Sequence, residues 1–283
     1  MGENSAIAWT THTFSPVWGC SAVSAECKNC YAEAWATRFG HRCWGRNPRR
    51  TFGDEHWADP LKWDRIAEKA GKRARVFCGS MCDVFEDAPG LDEQRTRLWK
   101  LIEVTPSLDW LLLTKRPENI EHMMPFIQIG GSLVERFINV WLGTTVGCKA
   151  SLPRVDELRR LPATVHFLSC EPLLEDLGEI NLRGISWVIA GGESGPHARP
   201  CAIEWLLCLR DQCKTAGVPY FLKQLGAMAV SVERACDTDE EAKEMFGYNS
   251  RWLWSAKLKD RAGANPEEWP LEYRVREFPE VSR

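Results

Sequence analysis

The sequence predicts an α/β protein organised on parallel strands, a partial or complete (β/α) TIM-type barrel carrying a C-terminal extension. Three observations lead there. Short apolar runs rich in β-branched and aromatic residues recur from residue 75 onward, each too short for a buried helix. Helix-like stretches separate them, so the pattern repeats roughly every 20–35 residues, the rhythm of right-handed parallel crossovers. Each run also exits into glycine or polar residues. A barrel gathers such exits into one ring around a single site, whereas a doubly wound open sheet concentrates its ligand groups at a switch point.

Taken in order, "AIAWTTHTF" (6–14) supplies a first strand, and a long excursion rich in tryptophan and arginine follows at about 38–74. The later strands are "RVFCGS" (75–80), "DWLLLT" (109–114), "INVWLGTT" (138–145), "TVHFLSC" (164–170), "ISWVIAGG" (185–192) and "VPYFLKQ" (218–224). Between them, residues 91–104, 151–161 and 202–217 read as helices. In the second, Leu152, Val155, Leu158 and Leu161 form one apolar stripe, and Gly217 caps the third. Residues 117–128, opened by Pro117, read as a further helix. The barrel occupies 1–226. In the extension, 227–283, an acidic run (233–244), "RWLW" (251–254) and "EEWPLEYRVREFP" (267–279) are expected to pack on the barrel through their aromatics.

At 283 residues, 44% hydrophobic and 27% charged, the chain can bury a full core. It has no apolar run long enough for a membrane span, and "MGENSAIAWT" lacks the basic-then-apolar order of a signal peptide, so a cytoplasmic protein without a membrane partner is expected. A net charge of -3 excludes a globally basic nucleic-acid binder. Locally, "RFGHRCWGRNPRR" (38–50) places Arg38, Arg42, Arg46, Arg49 and Arg50 beside Phe39 and Trp44 with no acid among them. Such a patch can hold phosphates and stack on a base, or serve as a solvated basic face.

Twelve cysteines are too scattered for a disulfide scaffold in a reducing compartment. Most of them, Cys43, Cys78, Cys82, Cys148, Cys170, Cys201, Cys208, Cys213 and Cys236, lie in apolar or helix-like stretches and read as packing. "GCSAVSAECKNCYAEAW" (19–35) is different, with Cys20, Cys27 and Cys30 close together before a helix. A zinc site would need a fourth ligand, from His41 or Cys43. A thioredoxin-like pair at Cys27 and Cys30 leaves Cys20 unexplained. A 4Fe-4S cluster on three cysteines keeps one iron open for a ligand.

"WGCSAVSAECKNCYAE" (18–33), "LSCEPLL" (168–174), "VIAGGESGPHARP" (188–200) and "VPYFLKQLG" (218–226) together resemble the radical S-adenosylmethionine superfamily, most closely a phage-associated branch of it. The spacing departs from the superfamily's usual pattern, which has three residues between the first two cysteines and an aromatic just before the third. Here six intervene, Asn29 precedes Cys30 and the aromatic, Tyr31, follows it. The resemblance implies a 4Fe-4S cluster on Cys20, Cys27 and Cys30 that binds S-adenosylmethionine. An external flavodoxin- or ferredoxin-type donor would supply the electron that cleaves it to a 5′-deoxyadenosyl radical.

Carried onto this chain, the layout places Ser80 and Asp83 as acceptors for the methionyl ammonium, and Thr144 and Thr145 near the ribose or carboxylate. Glu171 is held on a stiff turn before Pro172, and Glu193 follows two glycines that admit a ligand closely. Both are expected to bind cofactor and, with Lys223, to serve in catalysis. Ion pairing with Arg199, Lys223 or Lys115 is the plainer role for either carboxylate, and a turn or helix cap for Asp83. The arginine and tryptophan excursion suggests a nucleotide or nucleic acid as substrate. A zinc-stabilised α/β binding module or hydrolase is the alternative.

Overall fold

The computed structural model describes residues 2–231, 254–255 and 258–281. The acidic run at 233–244, Cys236 and most of "RWLW" lie outside the described residues. Seven strands pair in parallel: β1 (His12–Phe14), β2 (Ala74–Cys78), β3 (Leu108–Thr114), β4 (Val140–Thr145), β5 (Val165–Cys170), β6 (Trp187–Gly191) and β7 (Tyr220–Gln224). Their order in the sheet is their order in the chain. Right-handed crossovers that never reverse direction put the helices on one face and leave the other to curl inward.

The curl is visible in Trp9. Its ring centroid lies 4.7 Å from that of Phe77 on β2 and 6.3 Å from that of Trp187 on β6. In a flat sheet these strands would stand about 19 Å apart, four spacings of about 4.8 Å. The sheet is therefore bent into a half-barrel, its concave side filled by Trp9, Phe77, Leu111, Trp141, Val165, Phe167, Trp187, Ile189 and Phe221. The convex side, with Val76, Trp110, Leu142, Leu168, Val188 and Leu222, packs against the helices in a larger core. Residues alternate between the two faces as a strand demands. Gly143 on β4 faces inward, where a Cβ would meet the Phe167 ring at 2.3 Å.

The helices are α1 (Tyr31–Arg38), α2 (Asp54–Ala70), α3 (Leu91–Glu103), α4 (Ile120–Met123), α5 (Pro153–Arg159) and α6 (Ile203–Ala216). The helix expected over 117–128 is shortened to a 3-10 turn at Pro117–Asn119 that runs into the single turn α4. Pro125 excludes the helical conformation from Met124, which is extended at ψ 134, and a hairpin of Ile127–Ile129 with Ser132–Val134 follows. Within the excursion, α2 places Trp57, Pro60, Trp63 and Ala67 on one buried face and closes on Gly71 at φ 61.

The described part of the extension covers the outer edge of β7. Leu222 N donates to Val275 O at 2.8 Å, Glu277 N donates to Tyr220 O at 2.9 Å, and Arg276 bridges Phe221 antiparallel. Phe278 packs on Trp187 and Phe221, with centroids at 5.4 and 5.2 Å, and Trp269 is buried. Ala229–Ser231 pairs with Cys201–Ala202 and with Trp254–Ser255. Among the described residues no helix is long and apolar enough to cross a membrane.

Candidate functional site

A cavity of about 410 Å³ opens at the C-terminal ends of the strands, above the aromatic filling of the half-barrel. Its wall takes residues from six strand exits: Gly79–Asp83, 114–116, Thr145, Ser169 with Glu171, 192–194, and Lys223 with Gln224. Cys20, Cys27 and Cys30 line the same cavity, and all three are free and half-buried. Of the other cysteines, those within the described residues are buried except Cys208.

Each of the three thiols stands next to a residue fixed to a different part of the sheet's end. Ser21, beside Cys20, donates its N–H to Glu86 at 2.8 Å and accepts from Arg116 Nη2 at 2.8 Å. Glu26, beside Cys27, accepts from Gly147 N at 3.2 Å and from Arg154 at 3.3 Å, just past β4. Asn29, beside Cys30, donates to Glu193 Oε2 at 2.9 Å and to His197 O at 2.8 Å, just past β6. Arg199 adds a bond to Ala25 O at 2.9 Å. The loop is thus held from several sides, and its sulfurs are positioned largely through the residues beside them.

The thiols differ in acidity. Burial, then the negative charges of Asp83 and Glu86, push Cys20 up to about 11, against the pull of Arg116, whose Nη1 lies 3.7 Å from Sγ. Burial also works against the Cys27 thiolate, but backbone N–H groups and Lys115 outweigh it and lower the pKa. Among the described residues no three His, Cys, Asp or Glu side chains are arranged to hold one metal ion as the chain stands. Four ligands on one zinc would bring sulfurs to about 3.8 Å of each other at a Zn–S distance of about 2.3 Å. A cluster gives each thiolate its own iron and spreads them wider. Cys43 and His41 lie with Trp18 outside the cavity wall, Cys43 buried in a cluster that Cys30 also touches.

The sequence-predicted site residues divide. Ser80, Asp83, Thr145, Glu171, Glu193 and Lys223 all line the cavity. Thr144 does not: as its neighbour's opposite in a strand it faces the helices, wholly buried, donating to Thr114 O at 2.9 Å. Asp83 is consumed by four donors, Thr114 Oγ1, Phe85 N, Lys115 N and Arg116. Its place is a turn and an ion pair, the plainer of its two roles. Glu193 forms a two-pronged pair with Arg199, at 2.9 and 2.6 Å, besides its bond to Asn29. These partners hold its pKa below the ordinary value, although burial pulls the other way.

Glu171 pairs through Oε2 with Lys223 at 2.5 Å, and its buried Oε1 has no partner. Thr145 Oγ1 is likewise buried without one. Both residues line the cavity, and a carboxylate oxygen and a hydroxyl left buried without a partner are costly. Arg199 takes the ion-pairing role the sequence offered it with Glu193, whereas Glu86 and the loop-holding bonds of Asn29 and Arg116 escaped the sequence reading, because their importance is a matter of which loop they hold. The phosphate patch is also smaller than expected. Arg49 is spent on Glu86, Ser21 and three carbonyls, and Arg50 lies over Trp18 and Phe52.

A family model described as "Protein of unknown function (DUF5131)" matches residues 4–261. No curated protein and no solved structure matches the chain.

Proposed function

From a chain that belongs to the DUF5131 family of proteins of unknown function, we propose a radical S-adenosylmethionine-type enzyme on a partial TIM-type barrel, with a 4Fe-4S cluster held by Cys20, Cys27 and Cys30. The observation that carries the reading is the convergence of three free, individually anchored thiols on one cavity at the strand ends. The residues present suit the group. Thiolates are soft ligands of the kind iron-sulfur clusters take. The volume of about 410 Å³ falls within the range of small-molecule sites. The unpartnered Glu171 Oε1 and Thr145 Oγ1 call for donors, which an ammonium, a ribose diol or an amino group supplies.

When bound, the cluster and S-adenosylmethionine would supply one-electron cleavage of a sulfonium as the start of hydrogen abstraction. The chain's own residues bind, orient and shield. Arg116 stands where it stabilises the Cys20 thiolate, so that thiol releases its proton on taking up metal despite its raised pKa. Lys223 holds Glu171 in place and balances its charge through Oε2, and Oε1 stays without a partner of its own. Trp9, Ile7 and Phe77 floor the cavity and keep water from beneath it. An external flavodoxin- or ferredoxin-type protein would bring the electron.

Anaerobic reconstitution with iron and sulfide tests the reading. Brown protein with about four irons per chain is expected, with visible absorption that dithionite bleaches. The reduced protein should then release 5′-deoxyadenosine from S-adenosylmethionine. Serine at Cys20, Cys27 or Cys30 should abolish both results, and Cys43→Ser neither. Colourless protein that takes up one zinc and no iron overturns it.

A further inference from the structure

We propose that the exposed aromatic and arginine face of α1 is a docking track for single-stranded nucleic acid that leads into the cavity, which makes such a strand the substrate. This rests on the cavity being the reaction site. Tyr31, Trp35 and Phe39 recur every four residues and are 55%, 42% and 58% exposed. That spacing sets them in one line along the helix, about 12 Å long at about 1.5 Å per residue. Adjacent large aromatics left in water on a soluble surface mark an interaction site.

The rings are already held in place. The Tyr31 hydroxyl donates to Ser80 O at 2.8 Å, Trp35 meets the edge of Trp18 at 5.2 Å, and Phe39 packs on Trp35 at 4.6 Å. A ligand therefore pays little to order them. Arg38 closes the same helix, Arg42 and Arg46 follow within eight residues of its end, and Lys28 precedes its start; all four are exposed and, among the described residues, without an ion pair. Glu33 is the one acid on α1, at the cavity rim. Tyr31 is at once the first ring of this line and part of the cavity wall, so the track and the site are continuous. Cations set along stacking rings match a strand of bases and phosphates, since every base has a π-face and every phosphate a charge. An acidic protein would satisfy the arginines and leave the rings unused.

Fluorescence anisotropy with a short, labelled, mixed-sequence single-stranded RNA, and with its DNA counterpart, tests the track on the full chain. Binding is expected to weaken with salt, with a log–log slope of about −2 for three phosphates at about −0.7 each. Trp35→Ala should lose about tenfold or more, and Trp35→Phe should keep most of the affinity. The triple variant Arg38→Glu, Arg42→Glu, Arg46→Glu should lose the salt-dependent component while its circular dichroism and iron content stay those of the wild type. Wild-type protein that shows no salt-dependent binding, or a triple variant that binds equally well, overturns the track. So does protection of these arginines by an acidic flavodoxin-type protein with the oligonucleotide left unbound. Protein that fills with iron yet ignores the oligonucleotide loses the track and keeps the cavity reading. Protein that binds through these residues and takes no iron keeps the track alone.

Discussion

Glu193 shows how a residue that lines a cavity can also hold the loop opposite it. Its carboxylate gathers Arg199, the Arg199 backbone and Asn29, so it connects the exit of β6 to the residue before Cys30. Glu193→Gln should cost about 2 kcal/mol, because charged hydrogen bonds are lost and Arg199 is left half-buried without its partner. The pH dependence has a definite sign. Its folded pKa lies below the ordinary 4.5, so its contribution is complete above that value and is lost as pH falls through the folded one. Urea midpoints should show the gap between wild type and variant narrowing toward acid. Sequence spacing revealed that Glu171, Glu193 and Lys223 sit where strands end, because strand exits can be read from hydrophobic runs. It did not reveal that Asp83 is saturated or that Thr144 points away. Partners brought in from thirty residues off leave no local trace, and one residue of register decides which of two adjacent threonines meets the cavity.

At the scale of the element, two glycines carry testable consequences. Gly143 makes room on β4 for the Phe167 ring, and Gly143→Ala should destabilise the fold by about 1–3 kcal/mol through overpacking. A Cβ at Gly147 would come within 2.2 Å of Pro172 O and 2.8 Å of Glu26 Cγ. Gly147→Ala should therefore displace the support of Cys27 and lower iron retention after reconstitution more than it lowers thermal stability, a comparison that an iron assay beside a melting curve makes directly. The strands were the most legible elements, since an apolar run with β-branched residues has few other uses. Helix α2 was passed over within the excursion, although Asp54 and Glu55 in its first turn and Gly71 beyond its end are ordinary boundary signals. The segment at 117–128 misled because Pro117 begins a helical turn that Pro125 then stops.

The whole molecule depends on an edge being covered. Beside β7 the 275–277 segment fills bonding positions that would otherwise recruit another chain, and Trp269 fixes the approach. Trp269→Ala should cost about 3 kcal/mol and raise aggregation on heating, seen by light scattering during a thermal ramp. Which edge the 275–277 segment guards could not be read from composition, since edge identity is a property of topology. The supports of the cysteine loop have a further consequence for biogenesis. They come from strand exits far apart in sequence, so they exist only once the sheet has assembled. The apoprotein should thus mature as a finished container before any inorganic guest arrives, unlike small zinc domains that wait for metal to fold. On the proposed reading, loading would be a late delivery through an open mouth, and treating the reconstituted protein with a chelator should leave the cooperative unfolding transition standing.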